Sequence, residues 1–188
     1  MKCLVTGGCG FIGSHLVDSL VLRGDHVVVI DNLETSDTNN LKKDVDFQNG
    51  SVLDGGLLRN ALIGVDCVFH MAALPRVLRS IEDPIGTHRV NVDGTLSILQ
   101  AVREMGIGRF VYSSSSSVYG LQNTHLMSED MIPNPLSPYA LQKLIGEKYV
   151  EMFARLYGLS AVSLRYFNVY GPRQPVKGEY ALVIGKFM

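Results

Sequence analysis

Residues 5–16 read "VTGGCGFIGSHL": Gly7, Gly10 and Gly13 follow a short apolar stretch and open into a second one. Glycine at these places meets three physical needs. It allows a tight turn at positive φ, close approach of the backbone to a pyrophosphate, and a helix packed on a strand with no Cβ between them. A glycine triplet is weak evidence alone, so its surroundings decide. Before it stands "CLV", as a strand; after it the apolar residues from Phe11 to Leu22 recur at helical intervals. The next apolar run, "HVVVID", ends at Asp31, 18 residues beyond Gly13. A carboxylate there suits the ribose 2′-hydroxyl of NAD and repels the 2′-phosphate of NADP. The stretch "DNLETSDTNN" that follows holds no arginine to receive that phosphate. The pattern predicts an NAD site.

The same alternation continues along the chain. Short β-branched runs occur at "CLVTG", "HVVVID", "DCVFHMA", "RFVYSS" and "AVSLRYF", with a weaker one at "VDFQNG". Between them lie helical patterns, including residues 90–105 and 141–156. Strands that are apolar on both faces and alternate with helices predict a doubly wound parallel α/β sheet, the Rossmann arrangement. In "PNPLSPYALQK", Ser137 is a good N-cap and Pro138 a tolerated first-turn residue. Leu141, Leu144, Ile145, Tyr149, Met152, Phe153 and Leu156 then form one stripe, expected to pack mainly on the sheet and in part against a second copy. Asp54 reads as a helix cap.

Composition narrows the functional classes. The 188 residues are 46% apolar and 19% charged, with a formal net charge of −1. Neither sign dominates, which argues against nucleic acid or an anionic membrane as partner. There is no leader-like N-terminus and no apolar run long enough for a bilayer, so a cytoplasmic protein is expected. Cys3, Cys9 and Cys67 have no metal-ligand spacing and read as buried thiols; the five histidines are dispersed, and no metal is expected.

The run "VYSSSSSVYG" at 111–120 resembles a linker, yet its serines lie where a parallel strand ends, at the edge that binds ligands in such folds. Further on, Tyr139 and Lys143 stand four apart on one helix and share a face. A phenol of pKa about 10 is a poor base at neutral pH. A neighbouring ammonium, an oxidised nicotinamide and the positive end of the helix dipole favour its phenolate. With a serine sharing the substrate hydroxyl, this describes proton abstraction coupled to hydride transfer.

These pieces together resemble the extended short-chain dehydrogenase/reductase superfamily, and within it the NAD-dependent nucleotide-sugar epimerases of the UDP-glucose (UDP-galactose) 4-epimerase type. The resemblance rests on "TGGCGFIGSHL", "DN" at 31–32, "HMAALPRV", "NVDGTL", "SSSSSVYG", "SPYALQK" and "LRYFNVYGPRQ", in family order. It implies Ser115, Tyr139 and Lys143 as catalytic residues. It implies cofactor contacts from Gly7, Gly10, Phe11, Ile12, Gly13, Asp31, Asn32, Ser51, Val52, Ala72, Ala73, Asn91, Ser113, Ser114, Tyr139, Lys143, Tyr166, Phe167 and Val169. Ser115 and Asn168 are implied near the UDP-hexose substrate. Ser51 stands where the family often has an acid beside adenine, which weakens that contact. The resemblance further implies a homodimer through a four-helix bundle built from the helices near 90–105 and 138–157.

Relatives that dehydrate or decarboxylate the oxidised sugar carry acids where this chain has Ser116 and Ser117, so 4-epimerisation is expected. The resemblance makes residues 1–168 an NAD-binding domain and residues 169–188 the start of a smaller C-terminal substrate region, the rest of which is largely missing. Competing readings are an NAD-binding module inactive on its own, and another nucleotide-sugar-modifying enzyme of dehydrogenase type. His70 reads as structural, Arg165 as an ion-pair partner, Arg173 as either a phosphate contact or a solvated loop residue, and Met71 and Met127 as packing.

Overall fold

The structure is a computed structural model and describes residues 1–41, 44–124 and 126–174. Residues 175–188 of the expected substrate region lie outside the described residues. Six parallel strands form one sheet: β1 (Lys2–Thr6), β2 (His26–Asp31), β3 (Asp46–Asn49), β4 (Cys67–His70), β5 (Arg109–Ser115) and β6 (Ser160–Tyr166), in the order β3-β2-β1-β4-β5-β6. Every run read as a strand is one, and the order reverses between β1 and β4. In a sheet of this kind the ligand crevice opens at that reversal, beyond the carboxyl ends of the strands.

Alternation along each strand divides the core in two. Leu4, Val28, Ile30, Val68, Phe110 and Tyr112 face one way. They pack on α2 (Gly55–Ala61), α5 (Gly94–Glu104) and α6 (Pro138–Tyr157) through Leu58, Ile98, Leu99, Val150 and Phe153. Cys3, Val5, Val27, Val29 and Cys67 face the other way, against Val17 and Leu20 of α1 (Phe11–Leu22). The three cysteines are buried and free, as their apolar settings imply.

Two short helices are not evident from the periodicity: α3 (Val77–Glu82) and α4 (Pro84–His88). The segment expected as a helix from Val90 starts earlier, at Pro84, where Asp83 caps by accepting from the N–H of Gly86 at 2.8 Å. It passes through a π-helical turn at Arg89–Asp93 before α5. The capping expectations at Asp54 and Ser137 hold. Asp54 accepts from the Gly56 and Leu57 amides, and Ser137 from the Ala140 amide at 3.1 Å. Such caps contribute about 1 kcal/mol each.

The stripe on α6 requires correction. Leu141, Met152 and Leu156 are exposed, and of the stripe only Phe153 is fully buried. The sheet-facing side of α6 carries Ala140, Gln142, Lys143, Gly146, Glu147, Val150 and Phe153. Polar residues take the inner face here because each finds a buried partner.

Candidate active site

The glycine loop joins β1 to α1 beneath a cleft of about 910 Å³. Gly7 adopts φ +70°, and a Cβ there would stand 2.7 Å from the backbone nitrogen of Ala72. The loop after β4 therefore closes directly on the glycine loop, leaving a backbone-lined floor at the start of α1. Gly10, the N-cap of α1, makes no side-chain cap, so the first turn presents its amides toward the cleft.

Asp31 ends β2 at the adjoining wall, and its carboxylate organises the loops around it. It accepts from the Cys9 amide at 3.0 Å, the Leu33 amide at 2.9 Å and the Ser36 hydroxyl at 2.7 Å. A carboxylate offers about four acceptor positions, so one remains for a ribose hydroxyl. Backbone floor, carboxylate and cleft volume together fit a dinucleotide of the NAD type.

All the residues expected at the site line this one cleft, with the exception of Asn91. Asn91 is fully buried behind the wall. Its Oδ1 accepts from the Leu74 amide at 2.8 Å, and its Nδ2 donates to the Leu74 carbonyl and to Oε1 of Gln142. It braces the loop after β4 from behind rather than facing the cleft. His70 does similar work. Thr95 donates its hydroxyl proton to the Asn91 carbonyl, so it accepts from His70 Nε2, and His70 Nδ1 accepts from Thr6. Complete burial pushes His70 down to about 3. It is an uncharged strut.

At the other end of the cleft the serine run does end a strand. Ser115 closes β5 and caps the 3-10 turn Ser116–Tyr119, its hydroxyl accepting from the Ser117 amide at 3.1 Å. Its side chain also stands beside Tyr139 in the cleft, near enough to favour the phenolate. The two groups expected to meet across the sheet edge both line this one cleft. Burial raises Tyr139 above the ordinary phenol value, and the neighbouring Ser115 side chain recovers part of that shift. Lys143, expected to favour the Tyr139 phenolate together with an oxidised nicotinamide, has other partners in this arrangement. The Lys143 ammonium donates to the Ser113 carbonyl at 2.7 Å and lies 5.1 Å above the Tyr112 ring. Being wholly buried, it is itself pushed down to about 8.

Behind the serines lies a buried ionic knot. Ser114 turns its hydroxyl away from the cleft and donates to Glu147 at 2.5 Å, so only the rest of the residue faces a cofactor. Arg165 of β6 grips the same carboxylate through Nε and Nη2, both at 2.9 Å, and lies over the Tyr119 ring. The ion pair expected for Arg165 is thus with Glu147. Arg173 pairs with Asp18 at 2.6 Å, and the Pro172 carbonyl meets His15, which fastens the loop after β6 onto α1.

The sequence does not reveal Glu34, Arg76, Arg79 and Glu82 as lining residues, or that Met71 joins them. Arg79 and Glu34 form an ion pair at the cleft wall. Arg76 carries φ 115°, a strained value that a branched or long side chain seldom takes, and it begins α3. No sequence signal marks these, because α3 is too short for a period. Among the described residues there is no cluster of ligands able to hold a metal and no helix long and apolar enough to cross a membrane.

Comparison with known proteins agrees with this geometry. Residues 3–188 match the model of the NAD dependent epimerase/dehydratase family. A putative UDP-glucose 4-epimerase of Methanocaldococcus jannaschii is 42% identical, the match covering 96% of this chain and 60% of that protein. The crystal structure of Thermotoga maritima UDP-glucose 4-epimerase with UDP-glucose superposes with a TM-score of 0.95 at 40% identity, covering 100% of this chain and 62% of the other. That of the Thermus thermophilus enzyme complexed with NAD gives 0.91 at 42%, covering 95% and 59%. The chain spans about 60% of the length of the relatives it matches. By its sequence, its strand order and its cleft, the chain belongs to the NAD dependent epimerase/dehydratase family.

Proposed function

We propose that this chain is the NAD-binding and catalytic part of a nucleotide-sugar 4-epimerase of the UDP-glucose/UDP-galactose type. The observation that carries the reading is that Ser115, at the carboxyl end of β5, and Tyr139, in the first turn of α6, line the same cleft as the glycine floor and Asp31. Gly7, Gly10 and Gly13 would hold the pyrophosphate, Asp31 a ribose hydroxyl, and Lys143 the nicotinamide ribose. NAD, when bound, supplies the acceptor and donor of the hydride.

The chain's own residues manage the proton. Burial raises Tyr139, so by itself the phenol is protonated at neutral pH. Tyr139, as the phenolate that a positive charge beside it would favour, would take the proton of the sugar's 4-hydroxyl. Ser115 keeps hold of that oxygen while the proton leaves and when it returns. Ser116 and Ser117 occupy the turn where an additional acid would be needed for dehydration, and a hydroxyl does not serve as one near neutral pH. This favours epimerisation over the other reactions of the family. Residues 1–168 would form the NAD-binding domain, and residues 169–188 would begin the region that selects the sugar. The exposed Leu141, Met152 and Leu156 on α6 suit pairing with a second copy.

Tyr139→Phe tests the proposal. It should lower UDP-glucose/UDP-galactose interconversion by about a hundredfold or more and leave the calorimetric affinity for NAD unchanged. Undiminished turnover in that variant would refute the role of Tyr139. A second reading is an NAD-binding module inactive by itself, supported by the glycine floor and Asp31 alone. It predicts NAD binding with no interconversion in the parent chain.

A further inference from the structure

Ser80 of α3 is completely buried, and its one hydroxyl serves two backbones. It donates to the Val77 carbonyl at 2.6 Å and accepts the amide of Tyr139, 59 residues away, at 2.9 Å. The start of α6 explains why that second bond matters. Early amides of a helix have no partner within it. Pro138 has no N–H, Ala140 donates to the Ser137 side chain, and Leu141 donates to the Ser137 carbonyl. Of these first-turn positions, only Tyr139 has its amide held by a side chain from another element.

That element is the cleft wall. Arg76, Arg79 and Glu82, the neighbours of Ser80, all line the cleft, and Arg79 is clasped to Glu34 beyond β2. α3 thus touches the Asp31 side of the cleft through Arg79 and the phenol side through Ser80. We propose that Ser80 is a positioning residue for Tyr139, through which the α3 wall fixes where the phenol stands against Ser115. The inference rests on the reading of Tyr139 as the base.

Without the Ser80 oxygen, the Tyr139 amide is left half-buried and unpaired, and the first turn of α6 shifts to find water. A displacement of about 1 Å is enough to spoil a catalytic contact. The phenol then moves away from the Ser115 side chain that holds its proton affinity down, while burial continues to raise it.

The test follows the phenol itself and needs no turnover. The chain has eight tyrosines, and with 3-fluorotyrosine incorporated each gives its own fluorine resonance, titrating lower than ordinary tyrosine. Tyr139→Phe assigns the resonance of interest. Ser80→Ala removes the hydroxyl; Ser80→Cys fills nearly the same space with a poor acceptor, and so covers the case in which the alanine variant does not fold. In both variants the Tyr139 midpoint should rise by about half a pH unit or more, toward that of Ser115→Ala. Ser80→Thr, which keeps the oxygen, should return it toward the parent value. A midpoint unmoved by both Ser80→Ala and Ser80→Cys, with the Tyr139 resonance still titrating, would show that Ser80 only packs α3 and would overturn the proposal alone. A Tyr139 midpoint unmoved even by Ser115→Ala would remove the base reading, and the proposal with it.

Discussion

Two helices of this molecule cover the same sheet by opposite chemistry. α1 turns Gly13, Ser14, Val17 and Leu20 inward, and a small apolar interface results. α6 turns Gln142, Lys143 and Glu147 inward, among Gly146, Val150 and Phe153, and leaves leucines outside. The difference follows from what each helix serves. α1 needs only to bring its N-terminus up to the glycine floor, which close packing achieves. α6 must carry a phenol and an ammonium into the cleft, and these come with buried charges that must be matched. Burial alone would expel them: an unpaired charge in the interior is far costlier than an exposed one. The partners are Ser113, Ser114, Arg165 and Asn91, all from elements that the sheet topology brings to α6.

The comparison breaks most visibly at Glu147. Glu147→Ala leaves the Arg165 guanidinium and the Ser114 hydroxyl without their common partner. Removing one member of a buried pair costs about 3–5 kcal/mol. The pair is about 10–17% exposed by side chain, so the lower end is expected. A urea melt of the variant should show it. Glu147→Met combined with Arg165→Met should recover most of the loss, because the charges then vanish together. If the single variant loses less than about 1 kcal/mol, the inner face of α6 is wetter than its packing implies and the contrast with α1 weakens.

Much of this contrast can be anticipated from the sequence, though unevenly. All six strands, the glycine floor, Asp31 and the caps at Asp54 and Ser137 are local signals, and the structure carries each of them. The α6 face defeats a reading from apolar spacing, which marks as buried a stripe whose Leu141, Met152 and Leu156 are exposed. Lys143 and Glu147 are also spaced four apart, but their partners lie on strands far away in sequence, so the pattern alone does not rank the two faces. Asn91 and Ser114 come to the site by resemblance, which gives position but not side-chain direction. Ser80 has no signal at all, since a lone serine in a six-residue helix looks like any other.

Lys143 sharpens the comparison from the other side, because its burial should cost stability instead of adding it. Its pKa falls to about 8 from an ordinary 10.5. The folded chain thus binds fewer protons than the unfolded chain between those values. The penalty is fully present below pH 8 and fades as pH rises toward 10.5. A shift of that size corresponds to about 3 kcal/mol, from which the Ser113 carbonyl left unpaired by a substitution subtracts about 1–2. Lys143→Met should therefore stabilise the chain by about 1–2 kcal/mol at pH 7. The gain should shrink in melts at pH 10, and NAD affinity should fall. A variant less stable than the parent at pH 7 would mean that the ammonium is well solvated or matched where it stands.

The smallest effect belongs to the outer face. On α1, Leu20 is 3% exposed, and Leu20→Ala should cost about 2–4 kcal/mol. On α6, Leu141, Met152 and Leu156 are 49%, 43% and 60% exposed. Substituting them by serine should change the stability of a single chain by less than about 0.5 kcal/mol each. These three have the composition of a core and the exposure of a surface, and only association would give them a packing role. The melts should accordingly be run over a range of protein concentrations. If a second copy covers this face, the triple variant will lose the concentration dependence that the parent shows, while Leu20→Ala will keep it. If the parent melts identically at every concentration, the exposed leucines of α6 make no contact between copies of this chain, and the contrast between the two helices is one of inner faces alone.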